Sequence, residues 1–534
     1  MMALIRAGLV GWSGALLITV LLLAATSSTT TTAGVRRMLQ PTDIQKALLA
    51  KYLSNQELES HLKDYVKRCS KISRLVKFGK SGQGADLVAL HVSSQPDKQS
   101  AVPKPQFKYV GNIHGDEPSG RQLLLVLAER LCAGYPSEPS IKKLVDSVEL
   151  YLIPTLNPDG YAAHRRENAA GTDLNRNFPD PVKLRGKDLT QPVGPEQPET
   201  RAIMAFTLEH RFVASLALHE GALVANYPYD GYPDGDLSVK GSKHASPDDA
   251  AFMHLARLYA KLHTTMSRSA EFKEGITNGA QWYPLYGGMQ DWNYLAAGCM
   301  EVTLELNDNK WPAPPRLSEM WVENQAALLQ WPLATLAGVH GVVKGEGPEG
   351  KPLPLAATVL VDGIAHNTST GPQYGDYYRI LAPGDYTLRV LAHGYKEATA
   401  KVSVPADGSG VTKDFLLAPL VPFPVKAKAD QGSKVTVEVV RPGVSKHPGG
   451  DEPQEEWVLV HGGPTHGTHS SGGSSGSGTS GFVKILAIIA VQVLAVGAFM
   501  AWRRLSSQWG YSGLPVSTIH GSPARQGKSA WPPV

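Results

Sequence analysis

His114 and Glu117, in the string GNIHGDEPSG, form an H-x-x-E pair where an apolar, strand-like run ends in a glycine turn. Imidazole and carboxylate are the usual donors of hydrolytic zinc sites, which take three protein ligands and keep a fourth position for water. The spacing alone is weak: among 17 histidines about one such pair arises by chance. His164 and Glu167, in HRRENAAG, form a second. Context separates the two. His114 follows a strand and precedes an apolar helix, so it falls at the edge of a sheet, where α/β folds place ligands. A third donor must arrive from another strand end, and His219 closes FVASLALHEG in that way. Each histidine is also open to the plainer reading of a satisfied structural residue.

The run CMEVTLEL alternates, with Met300, Val302, Leu304 and Leu306 on one face and Glu301, Thr303 and Glu305 on the other. The pattern alone predicts a half-solvated strand. A carboxylate at its far end, Glu305, could instead serve as general base toward a metal-activated water.

These residues need a scaffold. A helical pattern runs from about Pro41 to Arg68, and strand-like runs follow in LVALHVS, FKYVGNI, VELYLIP, FVASLAL and CMEVTLEL. Longer helical stretches, such as Gly120 to Leu131 and Asp248 to Ser267, separate them. Strands alternating with helices predict an α/β domain with a mixed central sheet flanked by helices, over residues 41–335. From about Leu336 the texture changes to short alternating strands with Gly/Pro turns, which predicts a small all-β sandwich of ~85 residues over 336–420.

The remainder reads as targeting and anchoring. Arg6 precedes an apolar run densest at Ala15 to Ala25 and then a hydroxyl-rich stretch, the layout of a secretory signal peptide over 1–33. A Pro/Gly/Ser-rich stalk, 421–481, leads to the apolar run Phe482 to Trp502, long enough to span a bilayer at ~1.5 Å per residue. Arg503 and Arg504 follow it directly and predict a cytosolic tail over 503–534, hence a single-pass type I membrane protein with its body lumenal or extracellular. Asn367-Thr368-Ser369 is a glycosylation sequon consistent with that side. Tyr511 to Leu514 has the form of a tyrosine-based sorting signal. At 534 residues and 42% apolar content the chain can bury a large core. Its formal charge of +4 is matched by four basic residues in the tail, so the body is balanced and carries no electrostatic footprint for nucleic acid. Three cysteines leave at least one thiol unpaired.

Read in order, the strings HGDEPSGR, NPDGY, RRENAAGTDLNRNFPD, LHEGALVANYPYD, ITNGAQWYPLYGGMQDWNY and CMEVTLEL resemble the zinc metallocarboxypeptidases, in the branch typified by carboxypeptidases D, E and M. The resemblance covers roughly Tyr52 to Leu417, and the β module resembles the transthyretin-like domain of that branch. It implies a peptide hydrolase that releases C-terminal Arg or Lys from peptides and propeptides, with one zinc ion held by His114, Glu117 and His219. It further implies Glu305 as general base and later acid, and Arg166 as the donor to the developing oxyanion. Asn175 and Arg176 would bind the free α-carboxylate, which a planar guanidinium grips bidentately. Tyr283 matches a tyrosine that closes over the bound residue, and Asp230 with Gln290 matches the lining of the pocket for the last side chain.

Two departures stand out. Gly84-Ala85-Asp86 replaces a Glu-Gly-Arg string, which removes a distal substrate contact. Glu220 stands where the branch usually has Gly, and as a strand neighbour of His219 it is expected to point away from the metal site. Rival readings are an inactive peptide-binding membrane receptor of the same fold and an amidase acting on acylated amino acids. Retention of Glu305, Arg166 and the three ligands argues against the first; Asn175, Arg176 and Tyr283 argue against the second.

Overall fold

The helical pattern near the start is interrupted. Thr42 and Ser54 each form a capping box, with Gln45 and Glu57, and start two separate helices, Asp43–Leu49 and Asn55–Arg68, where one was expected. The computed structural model describes residues 42–421 except 99, 239, 240, 348 and 349. The signal peptide, the apolar run Phe482 to Trp502, the tail with Tyr511 and Leu514, and all but the first residue of the stalk lie outside the described residues. Among those described, no helix is long and apolar enough to cross a membrane.

Eight strands form the central sheet: β1 (Ser73–Lys80), β2 (Asp86–Val92), β3 (Gln106–Gly111), β4 (Glu149–Ile153), β5 (Ala214–His219), β6 (Ala222–Tyr227), β7 (Ile276–Asn278) and β8 (Met300–Asn307). Their order is β1-β2-β4-β3-β5-β8-β6-β7. The pairs β3–β4, β3–β5, β5–β8 and β6–β7 are parallel and the others antiparallel, so the sheet is mixed, as expected. All eight residues of β8 are buried, which corrects the half-solvated reading. Helices cover both faces of a sheet of this kind, so the polar face of the strand is enclosed as well. Glu301 there accepts on Oε2 from Ser215 Oγ at 2.6 Å and from Asn293 Nδ2 at 2.7 Å.

One large apolar cluster on one face of the sheet includes Tyr109, Leu125, Leu218, Leu304 and Trp321; a smaller one on the other includes Val110, Ile153, Ala217 and Trp292. Cys69 and Cys132 form a disulfide that ties the end of Asn55–Arg68 to the helix Ser119–Gly134, and Cys299 is buried and free.

Beyond the helix Pro314–Gln330, two further sheets share one core containing Val339, Val359, Tyr377, Leu388 and Val390. One comprises β9 (Val339–Glu346), β10 (Pro352–Pro354) and β13 (Asp376–Arg379), with β16 (Val411–Thr412) and β17 (Phe415–Leu417) also on β9. The other runs in the order β12 (Ile364–Ser369), β11 (Ala357–Val361), β14 (Gly384–Ala392) and β15 (Ala398–Val404). This is the expected all-β sandwich. It meets the first layer through polar anchors: Arg379 NH2 lies 2.7 Å from Asp248 Oδ1, Tyr294 Oη donates to Asp248 Oδ2 at 3.0 Å, and the His366 ring stacks on Tyr294 at 4.2 Å.

Candidate active site

Four of the predicted residues come from strand ends. The chain leaves β3 through Asn112, whose φ of 55° suits an asparagine, and the Asn112 amide donates to the carbonyls of His114 (2.7 Å) and Gly115 (3.2 Å), wrapping the turn that carries His114 and Glu117. Gly115 is required here, since a Cβ would fall 2.1 Å from the carbonyl carbon of Gly160. His219 ends β5, and in the parallel ladder with β8 it lies directly opposite Glu305.

His114, Glu117 and His219 are all buried, and one donor atom from each falls within 4.8 Å of the others. Glu117 places Oε1 2.9 Å from His114 Nδ1 and Oε2 2.9 Å from His219 Nδ1, and the two Nδ1 atoms are 3.2 Å apart. Bonds of about 2.0–2.1 Å to a tetrahedral ion place neighbouring donors roughly 3.3 Å apart, so these three residues fit zinc. His114 Nε2 lies 3.2 Å from Asp173 Oδ1. An ionised carboxylate only accepts, which fixes the proton on Nε2 and leaves Nδ1 a lone pair.

Sequence reasoning missed Asp173. Its Oδ2 accepts from Arg166 Nε at 2.9 Å and its Oδ1 accepts from the Asn175 amide at 2.9 Å, so it orients a candidate ligand, the candidate oxyanion donor and the start of the Asn175-Arg176 turn together. Burial raises its carboxyl, but His114 and Arg166 outweigh that and hold it well below the usual carboxylate range. The signal was present in TDLNRN, an aspartate two positions before a polar turn residue.

A cavity of about 220 Å³ joins these groups to the rest. Its lining includes His114, Glu117, Arg166, Asn175, Arg176, His219, Asp230, Tyr283 and Glu305, so nine of the ten predicted residues face one space. The tenth, Gln290, lies just behind: its Nε2 donates to Asp230 Oδ1 at 2.9 Å while its Oε1 accepts from the Thr303 amide of β8 at 2.9 Å. Burial and then the charge of Glu117 push the Glu305 carboxyl well above the usual range, and its Oε2 has no hydrogen-bond partner among the described residues.

Asp230 is 3% exposed. Asn226 Nδ2, at 3.3 Å, also donates to its Oδ1, and no cation lies within ion-pair distance of it among the described residues. Burial pushes its carboxyl up to about 7. Gly279 admits the side chain, because a Cβ there would sit 1.9 Å from Asp230 Oδ1. Glu220 points away from the ligands: it accepts from the Ser119 amide and from the Trp311 amide, the latter at 2.8 Å.

Comparison with known proteins gives one answer. The family described as zinc carboxypeptidase matches residues 58–327. Carboxypeptidase SOL1 of Arabidopsis thaliana is 47% identical over 371 residues, covering 69% of this chain and 72% of that protein. Carboxypeptidase M of Mus musculus is 38% identical over 389 residues, covering 70% and 85%. Carboxypeptidase D of Homo sapiens is 37% identical over 371 residues, covering 66% of this chain, which spans only 26% of that protein's length. With two histidines and a glutamate inside that matched region converging where they could hold a metal ion, the chain belongs to the zinc carboxypeptidases, in the branch of carboxypeptidases D, E and M, and is a metallocarboxypeptidase.

Proposed function

We propose that this enzyme removes single Arg or Lys residues from the C-termini of peptides and propeptides. The observation that carries the reading is Asp230, a buried carboxylate beside the cavity with two amide donors on one oxygen and no cation. A buried charge without a partner is costly, and a guanidinium or ammonium entering the pocket removes that cost.

His114, Glu117 and His219 would hold zinc, which when bound supplies Lewis acidity and eases deprotonation of water. Glu305 takes the proton from the attacking water and later gives it to the leaving amine; its unpartnered Oε2 and raised carboxyl suit a group that must do both. Arg166, fixed by Asp173, donates to the developing oxyanion. Asn175 and Arg176 grip the free α-carboxylate, Tyr283 closes over the bound residue, and Gln290 orients Asp230.

The same reading places the catalytic body on the lumenal or extracellular side of a membrane. It is supported by the apolar runs at residues 15–25 and 482–502 and by the Cys69–Cys132 disulfide, which suits an oxidising compartment.

Matched peptides ending in Arg and Leu test the central claim. The zinc-loaded enzyme should prefer Arg and lose turnover to a chelator, and Asp230→Ala should lower kcat/KM for the Arg peptide by about 10²- to 10⁴-fold, from the ~3–5 kcal/mol of a broken buried pair, while sparing the Leu peptide. An unchanged Arg-to-Leu ratio would refute the assignment of Asp230.

A further inference from the structure

The turn after β8 carries a cation that the mechanism leaves without a task. Lys310 Nζ lies 2.8 Å from Glu117 Oε1 and 3.3 Å from Asp116 Oδ2, its side chain is 35% exposed, and it lines the same cavity as Glu305 and Asp230. A Cβ placed on Gly221 would be 3.8 Å from both Lys310 Cε and Glu305 Oε2, so the lysine stem and the base border the same side of that glycine.

The turn is held in place. Trp311 donates its amide to Glu220 Oε2, and its ring stacks on His164 at 4.2 Å and Tyr161 at 5.1 Å. Glu220, the residue that departs from the branch's glycine, therefore ties the lysine-bearing turn to the end of β5 and to the start of the helix Ser119–Gly134. The turn is anchored while the partly exposed ammonium head lines the cavity.

The charged groups of the cavity sort into two ends. Asp230 is held by Asn226 Nδ2 and Gln290 Nε2, and Gln290 Oε1 in turn accepts from the Thr303 amide of β8. Glu305 lies two residues further along β8, and Lys310 sits beyond the end of that strand at Asn307, against Glu117 and Asp116. In the basic-residue reading the last side chain meets Asp230 and the scissile bond meets Glu305, so the preceding residue falls on the Lys310 side of the base.

We propose that Lys310 is a specificity residue for the penultimate position of the substrate, favouring Glu or Asp there over Lys or Arg, with Asp116 sharing the ammonium and tempering the preference. This rests on the basic-residue carboxypeptidase reading. Glu117, as a metal ligand, has its charge committed to the ion, which leaves Lys310 available to an incoming anion.

The test uses the zinc-loaded full chain and three peptides that differ only in the penultimate residue, ending in Glu-Arg, Ala-Arg and Lys-Arg. The wild type should favour Glu-Arg over Lys-Arg. Lys310→Ala should lower that ratio by about 3- to 10-fold, the range of a partly exposed ion pair. Lys310→Arg should retain the ratio, Lys310→Glu should invert it, and Asp116→Asn should raise it. If Lys310 only supports Glu117, zinc content will fall and the three peptides will slow together with the ratio unchanged, which overturns the proposal. Should the wild type release Arg from none of the three, the underlying reading fails instead, and that result is distinct from an unchanged ratio.

Discussion

Two carboxylate–guanidinium pairs use the same chemistry for different ends. Asp248 and Arg379 join the α/β layer to the β-sandwich, with side chains 0% and 2% exposed and with Tyr294 Oη completing the carboxylate. Asp173 and Arg166 sit at the cavity wall with side chains 22% and 30% exposed, and Arg166 NH2 makes no hydrogen bond among the described residues. The first pair directs its charge inward and its worth is stability. The second leaves a donor facing the cavity, so its worth is realised only when charge develops there. Burial, more than the identity of the pair, divides structure from function.

That division can be tested, and the largest effect lies on the functional side. Glu305→Gln should retain zinc and fold while losing about 10²- to 10⁴-fold in kcat, because an amide cannot accept the proton from water. Metal content measured beside turnover checks this, and near-normal turnover of a metal-loaded variant would remove Glu305 from the mechanism. On the structural side, Arg379→Ala strands Asp248 in a buried setting and should cost about 3–5 kcal/mol of stability by denaturant titration, with the Arg-over-Leu preference of the folded protein unchanged. A loss of preference in step with stability would erase the distinction between the two pairs. The smallest effect sharpens it: Asp173→Asn keeps the shape but removes the charge that fixes His114 and Arg166. It should weaken zinc affinity by about 10- to 100-fold with little change in unfolding midpoint in the presence of excess zinc.

Much of this was legible in the order of residues. The ends of β3, β5 and β8 could be placed because apolar alternation stops at His114, at His219 and beyond Glu305, and the resemblance supplied roles for residues that pattern alone left open. What escaped has physical reasons. Asp173 lies in a turn where aspartate is ordinary, and only the fold reveals that it touches His114 and Arg166. Lys310 goes unmarked in the sequence because its turn is anchored by residues remote in the chain, Glu220 and His164. The break between the first two helices was hidden because helical spacing continues across it, although the capping residues Ser54 and Glu57 mark it. The enclosed polar face of β8 could not be inferred from alternation, since the helices that cover it come from elsewhere in the chain.

The opposition of His219 and Glu305 across neighbouring parallel strands constrains how this enzyme can be altered. Their spacing is one step of the ladder, about 4.8 Å, and does not depend on any loop. Insertions and deletions in the connections between β5 and β8 can therefore be absorbed without moving Glu305 relative to His219. A single residue added inside either strand would turn Glu305 or His219 to the opposite face of the sheet, so length variation in relatives and in designed variants should fall outside these two segments.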